Sequence, residues 1–462
     1  MIFLYSLSTH AQTPLDCSRL SDGGSYNNSE KCFSVLIGTL NAAPETQYLR
    51  IKNLTRSGQP ALLKQAEELT QKMDPAFDYS AIAQIWIYQS TNNAVAAKAL
   101  AEKIRAVAKK ESANKLVEVA EAFLNFKTTD PEFAFALLQQ AESLMKPVSA
   151  ACLIQKGIYY RSKGDHGSAT TTFNIALDKE LSNPLAHYFK GVSYAQIGSL
   201  QAALEEFNLV LKIQPEFPNA FREKAEVLLK LGQQQEGKDA YDSYFEYNPE
   251  DIYTRLNYGS ALFASKDFIG ANTQADNVLK QKSDFAAAYK LKAYCDYELS
   301  LFPEGIDHMN LYLSLIDSSL SVTRDYEYLG KLYQKNGNDS LAIGAFLIAV
   351  DKPGARSELF SETISLLSKK GKYNETIAVY DKKSMLFTPT SADSYNSGRA
   401  YLAIGNFASA DSLFTKVCDL QPAWPNGFLM RGNANANLDP GSVQGKAKPT
   451  MRSMWNWLKV IL

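Results

Sequence analysis

The side chains able to do chemistry are few, and their spacing does not gather them. There are five cysteines (Cys17, Cys32, Cys152, Cys295 and Cys418) and four histidines (His10, His166, His187 and His308). No C-x-x-C or H-E-x-x-H spacing occurs, so no metal site is implied. No G-x-S-x-G elbow, phosphate loop or dinucleotide loop is present, and the Gly-x-x-x-Gly spacings fall at helix turns. Cys152, Cys295 and Cys418 lie far apart on predicted helices, where cysteine packs as a small apolar side chain. His187 falls at an aromatic core position, and His166 and His308 fall in the same framework. Glu205, Glu206 and Asp239 are expected on solvated helix faces by their spacing. The expectation is therefore no catalytic residue, no cofactor and no metal.

Composition narrows the partners. The chain has 462 residues, 45% apolar side chains and a formal net charge of -1, enough for two or three domains or one extended array. A near-neutral chain offers nucleic acid or an anionic membrane no broad basic surface. No apolar stretch is long enough to span a bilayer. At the start, Met1 to Ser8 is a short apolar run, and Thr9-x-Ala11 fits the small-x-small rule for cleavage after Ala11. Residues 1–11 read as a signal peptide lacking a basic n-region, which predicts an exported, periplasmic protein; the alternative is a cytoplasmic one. The Ala11-Gln12 junction resembles export sites of Bacteroidetes-type bacteria. Asp16 beside Cys17 does not suit a lipid anchor. In an oxidising compartment Cys17 and Cys32 would pair across the polar stretch from Ser21 to Ser29, with two free thiols as the alternative.

The elements that would position any site are helices. Residues 12–44 look loop-rich. Residues 45–149 give degenerate helix pairs, with breaks at Gly58-Gln59-Pro60 and Asp74-Pro75 and a cap at Asp130-Pro131. From Ala150 a period of 34 is clear. A small residue in the first helix of each pair recurs at Gly157, Gly191, Ala225, Gly259 and Ala293. After three extra residues near Ser318-Ser319-Leu320 its place returns at Gly330, Ile364, Gly398 and Gly432. Gly164, Gly198, Gly232, Lys266, Gly337, Gly371 and Gly405 mark the turn. Phe173, Phe207, Tyr241, Phe346, Tyr380 and Phe414 mark the second helix, and Pro215, Pro249 and Pro422 close it. Glycine suits the left-handed cap after a helix, and proline cannot continue one.

This helix–turn–helix unit resembles the tetratricopeptide repeat (TPR). The resemblance covers five units over 150–319 and further units over 323–449, the last incomplete. The tryptophan of the family motif is replaced by Leu153, His187, Phe221 or Tyr289. The fold implied is all-α, a right-handed superhelical solenoid of helix-turn-helix repeats, with a groove lined by the first helix of each pair. Family contacts come from that helix one and two turns along. Those places hold Tyr188, Arg222, Glu226, Lys290, Tyr294, Tyr297, Lys331, Tyr395, Arg399 and Asn433. Where the family clamp for chaperone tails wants asparagine after Lys290, Tyr294 stands. The function implied is a non-enzymatic scaffold binding an extended peptide or helix of a protein partner. The rival is an envelope subunit binding polysaccharide or peptidoglycan. Residues 450–462 break the pattern with Trp455 and Trp457. A one-base shift after the Pro449 codon restores an amphipathic helix, so this tail reads as out of frame; the alternative is an apolar tail that docks on the groove or a membrane surface.

Overall fold

The computed structural model describes residues 13–39, 43–77, 79–126, 130–449 and 452. The segments read as a signal peptide and as an out-of-frame tail lie outside them, apart from residue 452. The described residues are helical with no strand, in consecutive packed pairs. The chain divides into two units, Met1–Asp251 and Ile252–Leu462.

In the first unit the pairs are α1 (Pro14–Asp22) with α2 (Tyr26–Thr39), α3 (Pro44–Arg56) with α4 (Pro60–Lys72), and α5 (Ser80–Ser90) with α6 (Ala94–Ala106). Then follow α7 (Ala113–Asn125) with α8 (Pro131–Leu144), α9 (Ala150–Ser162) with α10 (His166–Lys179), α11 (Pro184–Gln196) with α12 (Leu200–Ile213), and α13 (Pro218–Lys230) with α14 (Gln234–Tyr247). In the second unit α15 (Ile252–Ala264) pairs with α16 (Phe268–Gln281), α17 (Ala286–Glu298) with α18 (Phe302–Leu315), and α19 (Thr323–Lys335) with α20 (Asp339–Asp351). The last elements are α21 (Ser357–Lys369) with α22 (Tyr373–Leu386), α23 (Ser391–Ala403) with α24 (Phe407–Leu420), and α25 (Pro425–Leu438).

Two of the repeat markers turn out to be one contact. In four repeats the glycine of the first helix (Gly157, Gly191, Gly330, Gly398) faces the aromatic of its own second helix. A Cβ on Gly191 would stand 2.7 Å from the Phe207 ring, and one on Gly330 would stand 2.6 Å from Phe346. Helix axes can approach closely only where one side donates no atoms. Where the aromatic is replaced by Ala275, Gly259 instead faces Leu291. The turn residues adopt the left-handed conformation, φ +80° at Gly198, and Lys266 (+67°) and Ser300 (+63°) accept it without glycine. The three extra residues form a 3-10 turn, Ser318–Leu320, capped by Asp317.

The described part of the N-terminal segment differs from expectation: Pro14–Asp22 and Tyr26–Thr39 form α1 and α2, not a loop. Thr13 and Asp16 make a reciprocal capping box with Pro14 in the first turn, which starts α1. The serines that suggested a loop point inward; Ser29 donates to the Cys17 carbonyl at 2.8 Å. Cys17, Cys32, Phe33 and Leu36 form a small core. Cys17 and Cys32 are joined by a disulfide across 15 residues. Closing a loop of that length stabilises by about 3 kcal/mol in the chain-entropy account. Replacing both cysteines by serine should therefore raise amide exchange in α1 and α2 by about a hundredfold, leaving α9 to α12 unchanged. Equal protection with and without the bond would refute this.

Candidate functional site

In the first unit the first helices of successive pairs, α3, α5, α7, α9, α11 and α13, pack one on the next. Toward the start of this unit lies an ionic network that the sequence did not announce. Lys52 Nζ donates to Glu118 Oε2 (2.9 Å) and Glu121 Oε2 (2.7 Å). Arg56 bridges Glu121 and Asp22, each at 2.6 Å. Both cations lie over the Trp86 ring, at 5.4 and 5.6 Å. Burial would lower the Lys52 pKa, but the two glutamates outweigh it and raise it. Asp22 comes from the end of α1, so the N-terminal turn lies on this network. The same turn reaches residues far along the chain. Gln214 Nε2 donates to the Arg19 carbonyl (2.8 Å) and the Asn219 amide to the Gly23 carbonyl (3.0 Å). The N-terminal turn is thus held to α3 and to the start of α13.

Further along the same unit is a cavity of about 400 Å³, lined among others by Arg161, Tyr188, Arg222, Glu223, Glu226 and Lys230. Three of the expected groove residues meet here. Tyr188, however, is 8% exposed, packed against Phe189 (5.0 Å between ring centres) and Phe217 (5.2 Å). It packs between repeats and reaches the cavity lining with a small part of its surface. Arg222 donates to Glu223 Oε1 at 2.8 Å. Burial and the neighbouring Glu223 raise the Glu226 carboxyl. Arg161 lies 5.5 Å over Phe189, and its Nε is buried without a hydrogen-bond partner.

In the second unit Lys290, Tyr294, Tyr297 and Lys331 gather around α17 and α19. Asp325, fully buried, organises them. Its Oδ1 accepts from Tyr294 Oη (2.6 Å) and pairs with Lys290 Nζ (3.1 Å), while Oδ2 accepts from Tyr312 Oη (3.0 Å) and the Val322 amide (2.9 Å). Tyr294 is 6% exposed, its ring 4.2 Å from that of Tyr328. It is buried where α17 packs on α19. Tyr297 is half-buried, edge-on to Tyr328 at 5.3 Å. Beside them a cavity of about 640 Å³ is lined by residues including Arg324, Glu327, Tyr328, Lys331 and Arg356. Glu327 accepts from Lys331 (2.7 Å) and from Arg356 (2.8 and 3.0 Å). The inserted 3-10 turn helps fix this place. Lys352 Nζ donates to the Ser321 carbonyl (3.0 Å) and Thr323 Oγ1 to the Pro353 carbonyl (2.7 Å), tying the loop before α19 to the loop before α21.

Tyr395 packs on Trp424 at 4.7 Å, whereas Arg399 and Asn433 are exposed on α23 and α25. Neither cavity includes these three. The surface reading of Glu206 also fails. It is 8% exposed, with Oε2 2.6 Å from His187 Nδ1 and Oε1 2.8 Å from Lys190 Nζ. Arg324 and Arg356 escaped the repeat register because one sits in the first turn of α19 and the other in a loop. The three-residue insertion just before α19 was the available signal.

Two family models, each described as Tetratricopeptide repeat, match residues 154–219 and 394–423 respectively. The chain is a tetratricopeptide-repeat protein. Its helix pairs continue outside both matched stretches. DnaJ homolog subfamily C member 3 of Bos taurus is 22% identical over 246 residues, 47% of this chain and 48% of the relative. The chain thus spans about half the length of that curated relative. Among solved structures, the C-terminal part of a TPR repeat-containing protein from Cytophaga hutchinsonii is 30% identical, covering 44% of this chain and 78% of that one, with a TM-score of 0.35. A tetratricopeptide repeat protein from Parabacteroides merdae is 18% identical, covering 62% and 98%, with a TM-score of 0.37. Among the described residues, no helix is long and apolar enough to cross a membrane.

Proposed function

We propose that this TPR protein is a non-enzymatic scaffold that holds an extended peptide or a helix of a protein partner, in an exported, periplasmic compartment. The observation that carries the reading is the cavity between α19 and the loop before α21. Its lining includes Tyr328, Glu327, Arg324, Lys331 and Arg356. Aromatic and arginine side chains in a concave site are the types that dominate peptide and protein interfaces. The disulfide between Cys17 and Cys32 supports an oxidising compartment. A saccharide would want broad aromatic faces, but Tyr294 and Tyr328 are spent on each other at 4.2 Å.

A peptide array and a glycan array probed with the purified full chain separate the two ligand classes. Peptide capture, with a photo-cross-link mapping to α19 or the loop before α21, is the expected result. Glycan capture with no peptide bound would overturn the reading.

A further inference from the structure

We infer that the peptide segment this protein takes is acidic, its carboxylates received by Arg324 with Arg356 beside it; this rests on the scaffold reading above. Three cations line the cavity of the second unit, Arg324, Lys331 and Arg356, against one carboxylate, Glu327. Lys331 and Arg356 are both already bonded to Glu327. Arg324 is bonded instead to the neutral Tyr328 hydroxyl. No carboxylate lies within ion-pair distance of it among the described residues. Its guanidinium sits 5.1 Å over the Tyr294 ring, 5.4 Å over Tyr328 and 5.7 Å over Phe263. Aromatic faces hold a guanidinium flat while its N–H groups point out along its edge, the geometry that receives a carboxylate in a fork. Holding it on rings also lowers the entropy lost when a ligand arrives. The site is reachable: Arg324 is exposed, and the Arg356 side chain is 65% exposed.

The first unit carries the same device on different residues. Arg161 lies over Phe189 at 5.5 Å, its Nε is buried without a partner, and it lines a cavity that holds Arg222 and Lys230 together with Glu223 and Glu226. No carboxylate is within ion-pair distance of Arg161 among the described residues, while Arg222 is bonded to Glu223. In two separate cavities, then, one ring-backed guanidinium lacks an anion. Acidic side chains of an extended peptide supply what both lack. A nucleic acid would need many more cations in a row to hold its phosphates.

The test uses fluorescence anisotropy on the full chain with three labelled peptides of one length. One is rich in Asp and Glu, its twin carries Asn and Gln instead, and the third carries Lys. The acidic peptide should bind about tenfold or more tighter than its amide twin, and the difference should shrink as salt rises from about 50 to about 300 mM. Arg324→Ala should lose about tenfold for the acidic peptide, Arg324→Lys should recover only part of that, and Arg324→Glu should shift preference toward the Lys peptide. Lys280→Ala, on the outer helix α16, should change nothing. Thermal melts of each variant establish that it is folded. If the amide twin binds equally tightly and Arg324→Ala leaves that binding intact, the acidic preference is overturned while the scaffold reading stands. If no peptide binds and an acidic polysaccharide does, both are overturned.

Discussion

Replacing Lys383 by methionine is expected to cost the second unit about 3–5 kcal/mol, because it strands a buried carboxylate. Lys383 and Asp393 are 0% and 1% exposed, with Nζ 2.6 Å from Oδ2. Nζ also donates to Ser361 Oγ at 2.5 Å, and the same Asp393 oxygen accepts the Thr390 amide at 2.7 Å. One ammonium thereby ties α21, α22 and the start of α23 together. The double variant Lys383→Met with Asp393→Leu removes both charges and should recover all but about 1–2 kcal/mol, part of it the lost cap at Thr390. Amide exchange in α21 to α23 reads both variants. A single variant as protected as the parent would refute the account. The pH dependence follows from the carboxyl. Burial pushes the Asp393 pKa up, but the hydrogen bonds from Lys383 and Thr390 outweigh this and hold it below the ordinary value of 3.8. A depressed pKa in the folded state means the contribution is present above that value and is lost as pH falls below it. The double variant should therefore lose less of its stability on acidification than the parent.

Asp325→Ala should be comparably severe, about 3–5 kcal/mol, and should disable the candidate site as well. It would leave the Tyr294 and Tyr312 hydroxyls, the Val322 amide and Lys290 without their acceptor. The first two lie in the interior, where an unmade hydrogen bond carries its full desolvation cost. Asp325→Asn keeps an acceptor and the shape, and should cost about 1–2 kcal/mol. Because Tyr294 and Tyr328 form the surface on which Arg324 lies, the alanine variant should also lose affinity for the acidic peptide. Urea unfolding followed by exchange in α17 to α19 gives the stability, and anisotropy gives the affinity. An alanine variant with parental stability and parental peptide affinity would show that Asp325 organises neither.

Much of this was legible in the residues. A period of 34 with small, aromatic and turn positions in phase specifies helix pairs that need neighbours, since one pair cannot bury its own apolar face. The pairs from Pro44 to Leu144 could also be read, because prolines and capping residues mark their starts. The site was less legible. Register finds which side of a helix faces inward, but not whether a side chain there is spent. Tyr188 and Tyr294 are correctly inward and are consumed by packing. The useful arginines stand elsewhere. Arg324 is in a first turn, Arg356 is in a loop, and the insertion near Ser318 brings their two loops together through Thr323 and Lys352.

By itself, then, the sequence determined an all-α TPR array, its hairpin boundaries and the inward face of each first helix. These depend on spacing along one chain, and spacing is local. Only the tertiary structure decided which inward side chains are free. Among the described residues Arg161 and Arg324 have no carboxylate within ion-pair distance and Lys383 has one; Asp22 reaches Arg56, and the N-terminal turn reaches forward to Asn219. Such pairings join residues that are tens to hundreds of positions apart. They depend on burial and on distances of a few ångström, which no repeat period encodes.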